Sequence, residues 1–570
     1  MRRPSSVALR ALARCAVVGA LACIAGCITS CTAGWYHDDA DRDVDSILRE
    51  FDQKALADRA GRIVMPVVPE PVAEPVAPVD GEAGAAIDGA PIDAATPAVA
   101  PPAVAPPLVL DLKRTLEIAI TSSRDYISRK ESLYLSGLGF TLSRFNYGPQ
   151  YNAAVNYVWG DGDGAPAGSS VGGSFGVSQL LPTNGTLGLS TGLNKVMNRD
   201  DRGDIDDWST STGINFSQPL LRGAGYDLYR ESLTQAERSM VYSVRAFELF
   251  RQDFTIDTAD QFFGLVGQKR QLANLELDLE TATFDQDRTE ALHLVDRLPE
   301  EDVVQARRQR LTTESRVTDA RVAFQRAVER FLISLGLDPR TPVELIETEP
   351  EFESVAFTKE SAIAAAMQNR LDVRTERDSI EDAERGFRLA RNNLLPDLSV
   401  SASYGSGGAG RGGVGNALPD SWSRSASVSL DIPLQTIDRR NAWRQAEISI
   451  DQTRRGWLEF VDNLESGIEA QLRDLANSER QLELAGESLA DEERATYRLQ
   501  LLIERGDVST RDLIEARQKK LSSENSLIEL RVTHFIQRLR LYRNLGILFI
   551  DERGGWSIGA PANGAAGDAR

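Results

Sequence analysis

Cysteine is almost missing from this chain. Of 570 residues only Cys15, Cys23, Cys27 and Cys31 are cysteine, all near the N-terminus, so no pair remains downstream for a disulfide framework or a thiolate metal cluster. Histidine is as sparse: His37, His293 and His534 are scattered, without a helical metal-ligand spacing. There is no nucleophile elbow and no phosphate-binding glycine loop, and Gly405 to Gly415 lacks the following helix that a nucleotide loop needs. Acidic residues are plentiful, but a carboxylate pair without a pocket carries no weight, so no catalysis, metal or cofactor is expected and a surface-displayed hydrolase is the weakest reading. Positive charge is in deficit. The formal net charge of −20 argues against nucleic-acid binding. Beyond the N-terminus no run approaches the roughly 20 apolar residues of a transmembrane helix, so any membrane crossing requires β-strands.

The N-terminus does carry a targeting pattern. Arg2, Arg3, Arg10 and Arg14 precede an apolar run from Cys15 to Ala25, too short to span a bilayer, which reads as a bacterial export signal over residues 1–30. Ile24-Ala25-Gly26-Cys27 and Ile28-Thr29-Ser30-Cys31 both resemble the lipobox of bacterial lipoproteins, predicting acylation of Cys27 or Cys31 after cleavage; the competing reading is an ordinary secretory signal that contains cysteine. An acyl group holds a protein at a membrane surface and spans nothing. Residues 31–110 form an N-terminal segment whose part from Pro66 to Pro107 is an extended Pro/Ala/Val linker.

An internal repeat organises the remainder. A shift of 210 positions aligns residues 250–336 with 460–546 without a gap, at about one identity in five, including Phe250/Phe460, Arg270/Arg480, Asp302/Asp512, Arg307/Arg517 and the shared ends Leu335-Gly336 and Leu545-Gly546. Upstream, a shift of 247 pairs Ala119 with Ala366, Asn146 with Asn393 and Pro149 with Pro396, so the first half holds 247 − 210 = 37 extra residues in its middle. The predicted repeats cover 111–336 and 358–548, with a connector at 337–357 and a tail at 549–570. Each reads helix, β-segment, long helix, break, helix. The proline-free charged runs Tyr226 to Val295 and Asp438 to Arg505 predict helices on the order of 100 Å, and the helices predicted at 112–147 and 300–335 would each reach roughly 50 Å, so a stacked pair matches one long helix. Val303, Ala306, Val317, Ala320, Phe324, Ala327 and Phe331 follow coiled-coil steps of three and four.

The β-segments alternate. Leu398, Val400, Ala402 and Tyr404 interleave with Ser399, Ser401 and Ser403, and the return strand sets Ala426, Val428, Leu430 and Ile432 against Ser425, Ser427, Ser429 and Asp431. One apolar and one hydroxyl face suit a barrel with lipid outside and water inside. In the first half Tyr151, Ala153, Val155, Tyr157 and Trp159 alternate likewise. Trp159, Trp208 and Trp422 sit at loop-proximal strand ends, as an aromatic girdle or as loop anchors. Gly405 to Ser421 reads as an extracellular loop. The extra residues, two alternating runs within Ser174 to Leu193 around Pro182-Thr183-Asn184-Gly185, read either as an extracellular hairpin or as two further barrel strands.

On the duplicated plan, on Leu395-Pro396-Asp397-Leu398 opening a serine-alternating strand, on Gln218-Pro219-Leu220-Leu221-Arg222-Gly223 closing one, and on Gly506 to Arg517 followed by Leu545-Gly546, the chain resembles the TolC-type outer-membrane efflux protein family from about Leu112 to Leu548. The resemblance implies an α+β membrane protein: a homotrimer with a twelve-stranded barrel, four strands per protomer, continued by a coiled-coil α-helical barrel through the periplasm. It implies a passive exit of a tripartite efflux or type I secretion system, recruited by a periplasmic adaptor protein and an inner-membrane pump. Gly506, Asp507, Val508 and Ser509 are similar to the family's adaptor-docking tip, whereas the first tip, with Leu298 and Pro299, departs from it. By position Asp512 and Glu515 are similar to carboxylates that narrow the tunnel entrance, and Asp302 is the repeat counterpart of Asp512. The other reading of Asp512 is a carboxylate capping a helix start. The competing function is a lipid-anchored periplasmic coiled-coil adaptor or scaffold with a small soluble β-domain.

Overall fold

The computed structural model describes residues 33–55, 107–162, 165–200, 203–347, 357–505, 508–551 and 553–558, so Cys27, Cys31, Gly506 and Asp507 lie outside the described residues. In chain order the elements are α1 (Ala33–Ala55), β1 (Leu108–Leu110), α2 (Leu112–Ser122), α3 (Arg124–Phe145), β2 (Gln150–Gly162), β3 (Ala165–Leu180), β4 (Thr186–Asp200) and β5 (Gly203–Pro219). They continue with α4 (Tyr226–Leu294), α5 (Glu300–Ser334), β6 (Val343–Leu345), α6 (Lys359–Asn369), α7 (Leu371–Asn392), β7 (Asp397–Arg411) and β8 (Ser421–Asp431), then α8 (Ile437–Arg505), α9 (Thr510–Asn544), β9 (Leu548–Ile550) and β10 (Trp556–Ile558).

Corresponding helices have equal lengths: 11 residues for α2 and α6, 22 for α3 and α7, 69 for α4 and α8, and 35 for α5 and α9. Local chemistry fixes their ends. Asp111 caps α2 by accepting from the Arg114 amide at 2.6 Å, and Thr358 does the same for α6 from Ser361 at 3.3 Å. Helices α5 and α9 stop at Gly336 (φ 78°) and Gly546 (φ 71°), where the amides of Leu337 and Ile547 reach back to the carbonyls of Leu332 (2.8 Å) and Tyr542 (3.1 Å). This is the left-handed helix stop that glycine adopts without a Cβ clash. The single helix expected over 112–147 is two helices, because Ser123 turns extended (ψ 127°); Arg370 breaks the second half alike (ψ 134°).

The chain divides into two compact units. The first comprises residues 1–58, 132–246 and 371–464. Its centre is a six-stranded antiparallel sheet in the order β2-β3-β4-β5-β7-β8. The register row Tyr151, Val177, Leu189, Ile214, Tyr404, Arg424 crosses all six strands. The two alternating runs around Pro182 are therefore β3 and β4, strands within the sheet, and the chain carries six strands where the resemblance implied four. The hairpin they form, 36 residues from 165 to 200, accounts for nearly all of the 37-residue excess. The turn joining them closes through Asn184 (φ 65°), whose amide bonds the Leu181 carbonyl at 2.8 Å. Gly185 is needed there, since a Cβ would sit 2.8 Å from the Ser217 carbonyl oxygen.

Beside the sheet, α4 and α7 are laced by charge: Arg238 to Glu381 (2.5 Å) and Asp382 (2.9 Å), Arg245 to Asp378 (2.7 Å), Arg385 to Glu231 (2.9 Å). Helix α1, which the sequence reading left within an undifferentiated N-terminal segment, buries Val44, Ile47, Leu48 and Phe51. Phe51 meets Phe140 of α3 edge-on at 4.9 Å, and the Tyr134 hydroxyl donates to Asp41.

The second unit comprises residues 59–131, 247–370 and 465–570. Ile256, Phe262, Phe263 and Val266 of α4 pack with Phe331 of α5 and with Phe535 and Leu539 of α9; Phe263 and Phe535 meet at 5.1 Å. Strand β1 pairs in parallel with β6, and β9 antiparallel with β10. Buried Arg251 is satisfied by Glu248 (2.9 Å) and by the carbonyls of Ile550 (2.9 Å) and Asp551 (3.1 Å). His534 is buried against the Ser478 hydroxyl at 2.9 Å. Burial pushes its imidazole below the usual range, and the Arg538 guanidinium adds to this against the opposing pull of Glu479. A lowered folded pKa means that the unfolded chain binds the proton more readily, so this contribution is fully present above pH 6.5 and is lost as pH falls through the folded value. The thermal midpoint should drop on going from pH 7.5 to 5.5, and His534→Gln should remove that part of the pH dependence. Identical midpoint-against-pH curves for the two proteins would refute the assignment.

Candidate functional site

The sheet has two chemically different faces. One carries Tyr151, Tyr157 and Trp159 of β2, Phe175 of β3, Leu187 and Leu189 of β4, Ile214 and Phe216 of β5, and Val428 and Leu430 of β8, and large side chains there are exposed. The other is built mainly from serine, threonine, asparagine and glycine, with a few small apolar residues such as Ala154 and Val158. Its serines pair across β7 and β8: Ser399 with Ser429 (2.7 Å), Ser401 with Ser427 (2.8 Å) and Ser403 with Ser425 (2.7 Å). Val428 is 70% exposed and Val155 71%. An apolar face of this extent on a sheet is a surface for lipid or another apolar partner. Trp159, Trp208 and Trp422 all lie on this apolar face near the loop ends, with Lys195 over the Trp208 ring and Arg424 over Trp422, each at 5.4 Å. Among the described residues no helix is long and apolar enough to cross a membrane, which says nothing of strands.

The α4–α5 and α8–α9 connections hold the other predicted residues. Asp512 and Ser509 form a capping box on α9: the Ser509 side chain accepts from the Asp512 amide (3.3 Å), and the Asp512 carboxylate accepts from the Ser509 amide (3.3 Å) and hydroxyl (2.7 Å). Capping thus accounts for Asp512 within one chain. Glu515, one turn on, is exposed and faces Lys519 at 3.2 Å. Asp302 lies in the first turn of α5 with Glu300 and Glu301, behind the N-cap Pro299. The first turn is closed by Asp296 (φ 57°) and by a bond of 2.8 Å between the His293 ring and the Leu298 carbonyl. Leu294 is 83% exposed there and Val295 is exposed too, apolar residues that sequence reading did not single out.

A buried polar cluster that the sequence reading also missed lies in the second unit near α9's start. Arg517 of α9 pairs with Asp285 of α4, and Gln518 donates to Gln309 of α5 at 3.1 Å. Thr313 of α5 donates to Asp278 at 3.4 Å. Burial pushes the Asp278 carboxyl up and the neighbouring Asp285 adds to that, opposed by the Thr313 bond and by Arg517 and Arg316. The repeat alignment marked Arg517 through Arg307, but its partner sits in the other half at no repeat-related position, so no spacing could reveal the pair. Removing one member of a buried ion pair costs about 3–5 kcal/mol, because the other charge stays buried. Arg517→Ala should therefore accelerate amide hydrogen exchange around Asp285 and in the first turns of α9 by tenfold or more, with the β-sheet unaffected. Unchanged exchange in α9 would show that the pair holds nothing.

Residues 362–547, most of the second half, match the sequence model of the outer membrane efflux protein family. Over 266 residues the chain is 26% identical to the solvent efflux pump outer membrane protein SrpC of Pseudomonas putida, an alignment covering 45% of this chain and 53% of that protein. The chain thus spans about half the length of the curated relatives it matches. The outer-membrane channel OprN superposes with a TM-score of 0.58 at 15% identity, over 78% of this chain and 90% of that one. The outer membrane protein VceC of Vibrio cholerae gives 0.57 at 14% identity, over 76% and 96%. At these identities the superpositions speak to the fold, which is the mixed α/β fold of outer-membrane channels. In sequence over its second half and in fold along most of its length, the chain is similar to the outer membrane efflux proteins.

Proposed function

We propose that the chain is one protomer of a trimeric exit duct, built from two structural repeats, that crosses the outer membrane as a β-barrel and continues into the periplasm as a barrel of coiled helices. The observation that carries this reading is the two-faced sheet, with an exposed apolar face, a neutral polar face, and end strands β2 and β8 of 13 and 11 residues. A soluble β-domain, as the adaptor or scaffold reading requires, would have to cover Tyr151, Val155, Trp159 and Val428, all more than half exposed. In the duct the apolar face meets lipid, the serine face meets water, and the tryptophans stand at the interface. Acylation at Cys27 or Cys31 fixes the N-terminus to the membrane. The duct performs no chemistry of its own, needs no cofactor, and acts as the outer component of a tripartite efflux or type I secretion system.

The helix-turn connections form the periplasmic tip. Leu294, Val295, Leu298 and Pro299 of one connection and Val508 and Ser509 of the other, together with Gly506 and Asp507 by their place in the sequence, are the adaptor-docking residues, and the adaptor links the duct to an inner-membrane pump. Three copies of Asp512 and Glu515, with Asp302 of the other half, would place carboxylates around an axis and favour cations there.

The purified protein should run as a trimer that resists mild detergent denaturation and should conduct ions in a planar bilayer. A water-soluble monomer without conductance would sink the reading. The two faces can be tested separately on β4. Leu189→Arg puts a cation on the lipid side and should cost about 2–4 kcal/mol of membrane stability, depleting trimer from the membrane fraction. Ser190→Arg, one residue on, should insert normally and shift ion preference toward anions. Equal tolerance of both substitutions would show that the faces are assigned wrongly.

A further inference from the structure

The sheet of one protomer is wider than the resemblance implied, and its extra strands are full members of it. Strands β3 and β4 pair along 13 residue positions and continue the same alternation of faces as their neighbours. On the apolar side they present Phe175, Leu187, Leu189 and Leu193; on the other they present uncharged residues, mostly small, such as Ser170, Ser174, Gly188, Ser190 and Asn194, with Val196 and, at the turn end, Leu180. Across all six strands the polar face between its two rims carries serine, threonine, asparagine, glycine and small apolar residues, with no charge; Asp397 and Asp431 stand at one rim and Asp207 with Arg411 at the other. The β7–β8 loop does not cover this face. Ala417 and Leu418 lie over Gly408 on the opposite side, where a Cβ would meet the Leu418 carbonyl oxygen at 2.1 Å, and the Thr210 hydroxyl donates to the Ala417 carbonyl.

In hydrocarbon the outer backbone edges of β2 and β8 must find partners, since each unpaired group costs several kcal/mol. Six strands are too few to close on themselves, barrels starting at about eight. The partner that matches both edges in length and in alternation is another copy of this chain, β8 of one protomer meeting β2 of the next. Resting on the trimeric duct reading, we infer that three copies close an eighteen-stranded barrel whose neutral lumen forms an exit for bulky hydrophilic polymers rather than a filter for small ones. At a strand spacing of about 4.8 Å and a tilt of about 40°, eighteen strands give a backbone diameter of about 36 Å and twelve give about 24 Å. The short side chains of the polar face leave most of that width to water. With no fixed charge along the wall, the barrel sorts cargo neither by charge nor by apolar contact.

The test uses the full-length chain and a variant lacking residues 165–200, which rejoins β2 to β5 through residues 163, 164, 201 and 202. That excision keeps Tyr151 and Ile214 on one face, because their register row passes through β3 and β4 without changing sides. Single channels are challenged from the extracellular side with polyethylene glycols of increasing size, and the largest polymer that still lowers conductance is recorded. The full-length channel should admit polymers about half again as wide as the variant does. In parallel, Asn156→Cys on β2 and Ser425→Cys on β8, combined in the full-length chain, should cross-link it into a closed ladder of three, a readout that survives if the excised variant fails to fold. A cut-off equal to the variant's, a ladder ending at two copies, or no β8-to-β2 cross-link in an intact conducting trimer would overturn the eighteen-stranded barrel and leave the duct standing. Absence of any conductance in the full-length protein would instead overturn the duct itself.

Discussion

A peptide group cannot go unpaired in hydrocarbon, and every other feature of the β-half follows from that constraint. In the proposed duct the strands meet it by pairing sideways. Pairing sideways fixes the composition of both faces, because a strand that touches lipid on one side and water on the other must change chemistry at every residue. In the proposed duct the ladder from Ser399–Ser429 to Ser403–Ser425 is the water side of that rule, and the row from Leu398 to Tyr404 is its lipid side. In that duct the same constraint leaves the outer edges of β2 and β8 with obligations that one chain cannot meet.

The helical half is held differently. Long rods have little core per residue, and the described contacts are correspondingly polar: the Arg238, Arg245 and Arg385 pairs in the first unit, Arg517 with Asp285 in the second. Exposed pairs of this kind contribute little each, whereas the buried ones specify which helix faces meet, since a slipped register would strand a charge. Apolar packing concentrates where helices and short strands converge, around Phe262, Phe331 and Leu539.

Much of this was legible in the residues. The 210-position repeat placed the helix breaks and both Leu-Gly stops to within a residue or two, because glycine at a left-handed cap is a local requirement that survives duplication. Alternation located β7 and β8 for the same reason: it is local and has a period of two. What escaped was non-local or too short to be periodic. Strands β1 and β6 are three residues each and exist only by pairing with one another across more than 200 positions. Asp285 and Arg517 meet across the repeats, and the bonds of Asp512 to Ser509 are visible only in the structure. The hairpin of β3 and β4 was read as a choice between loop and strand, since composition alone does not say whether an alternating run has a neighbour to pair with.

That hairpin has a further physical consequence for how such a duct can vary. Strands β3 and β4 are joined by the turn at Leu181–Gly185, which is tied to the loop after β5 by the Asn184 side chain on the Gly223 carbonyl (2.6 Å) and to the end of β5 by Gln218 on the Thr183 carbonyl (2.9 Å). The turn therefore rests on the connection between β5 and α4 and requires no helix of its own. Adding two strands to one repeat leaves the helix lengths of the two halves equal, at 69 and 69 and at 35 and 35 residues. Barrel circumference and helix number are thus separable quantities in this architecture: the first grows by hairpins inserted between existing strands, while the second is set by the duplicated plan. In the proposed trimer the strand section widens while the number of helices stays the same.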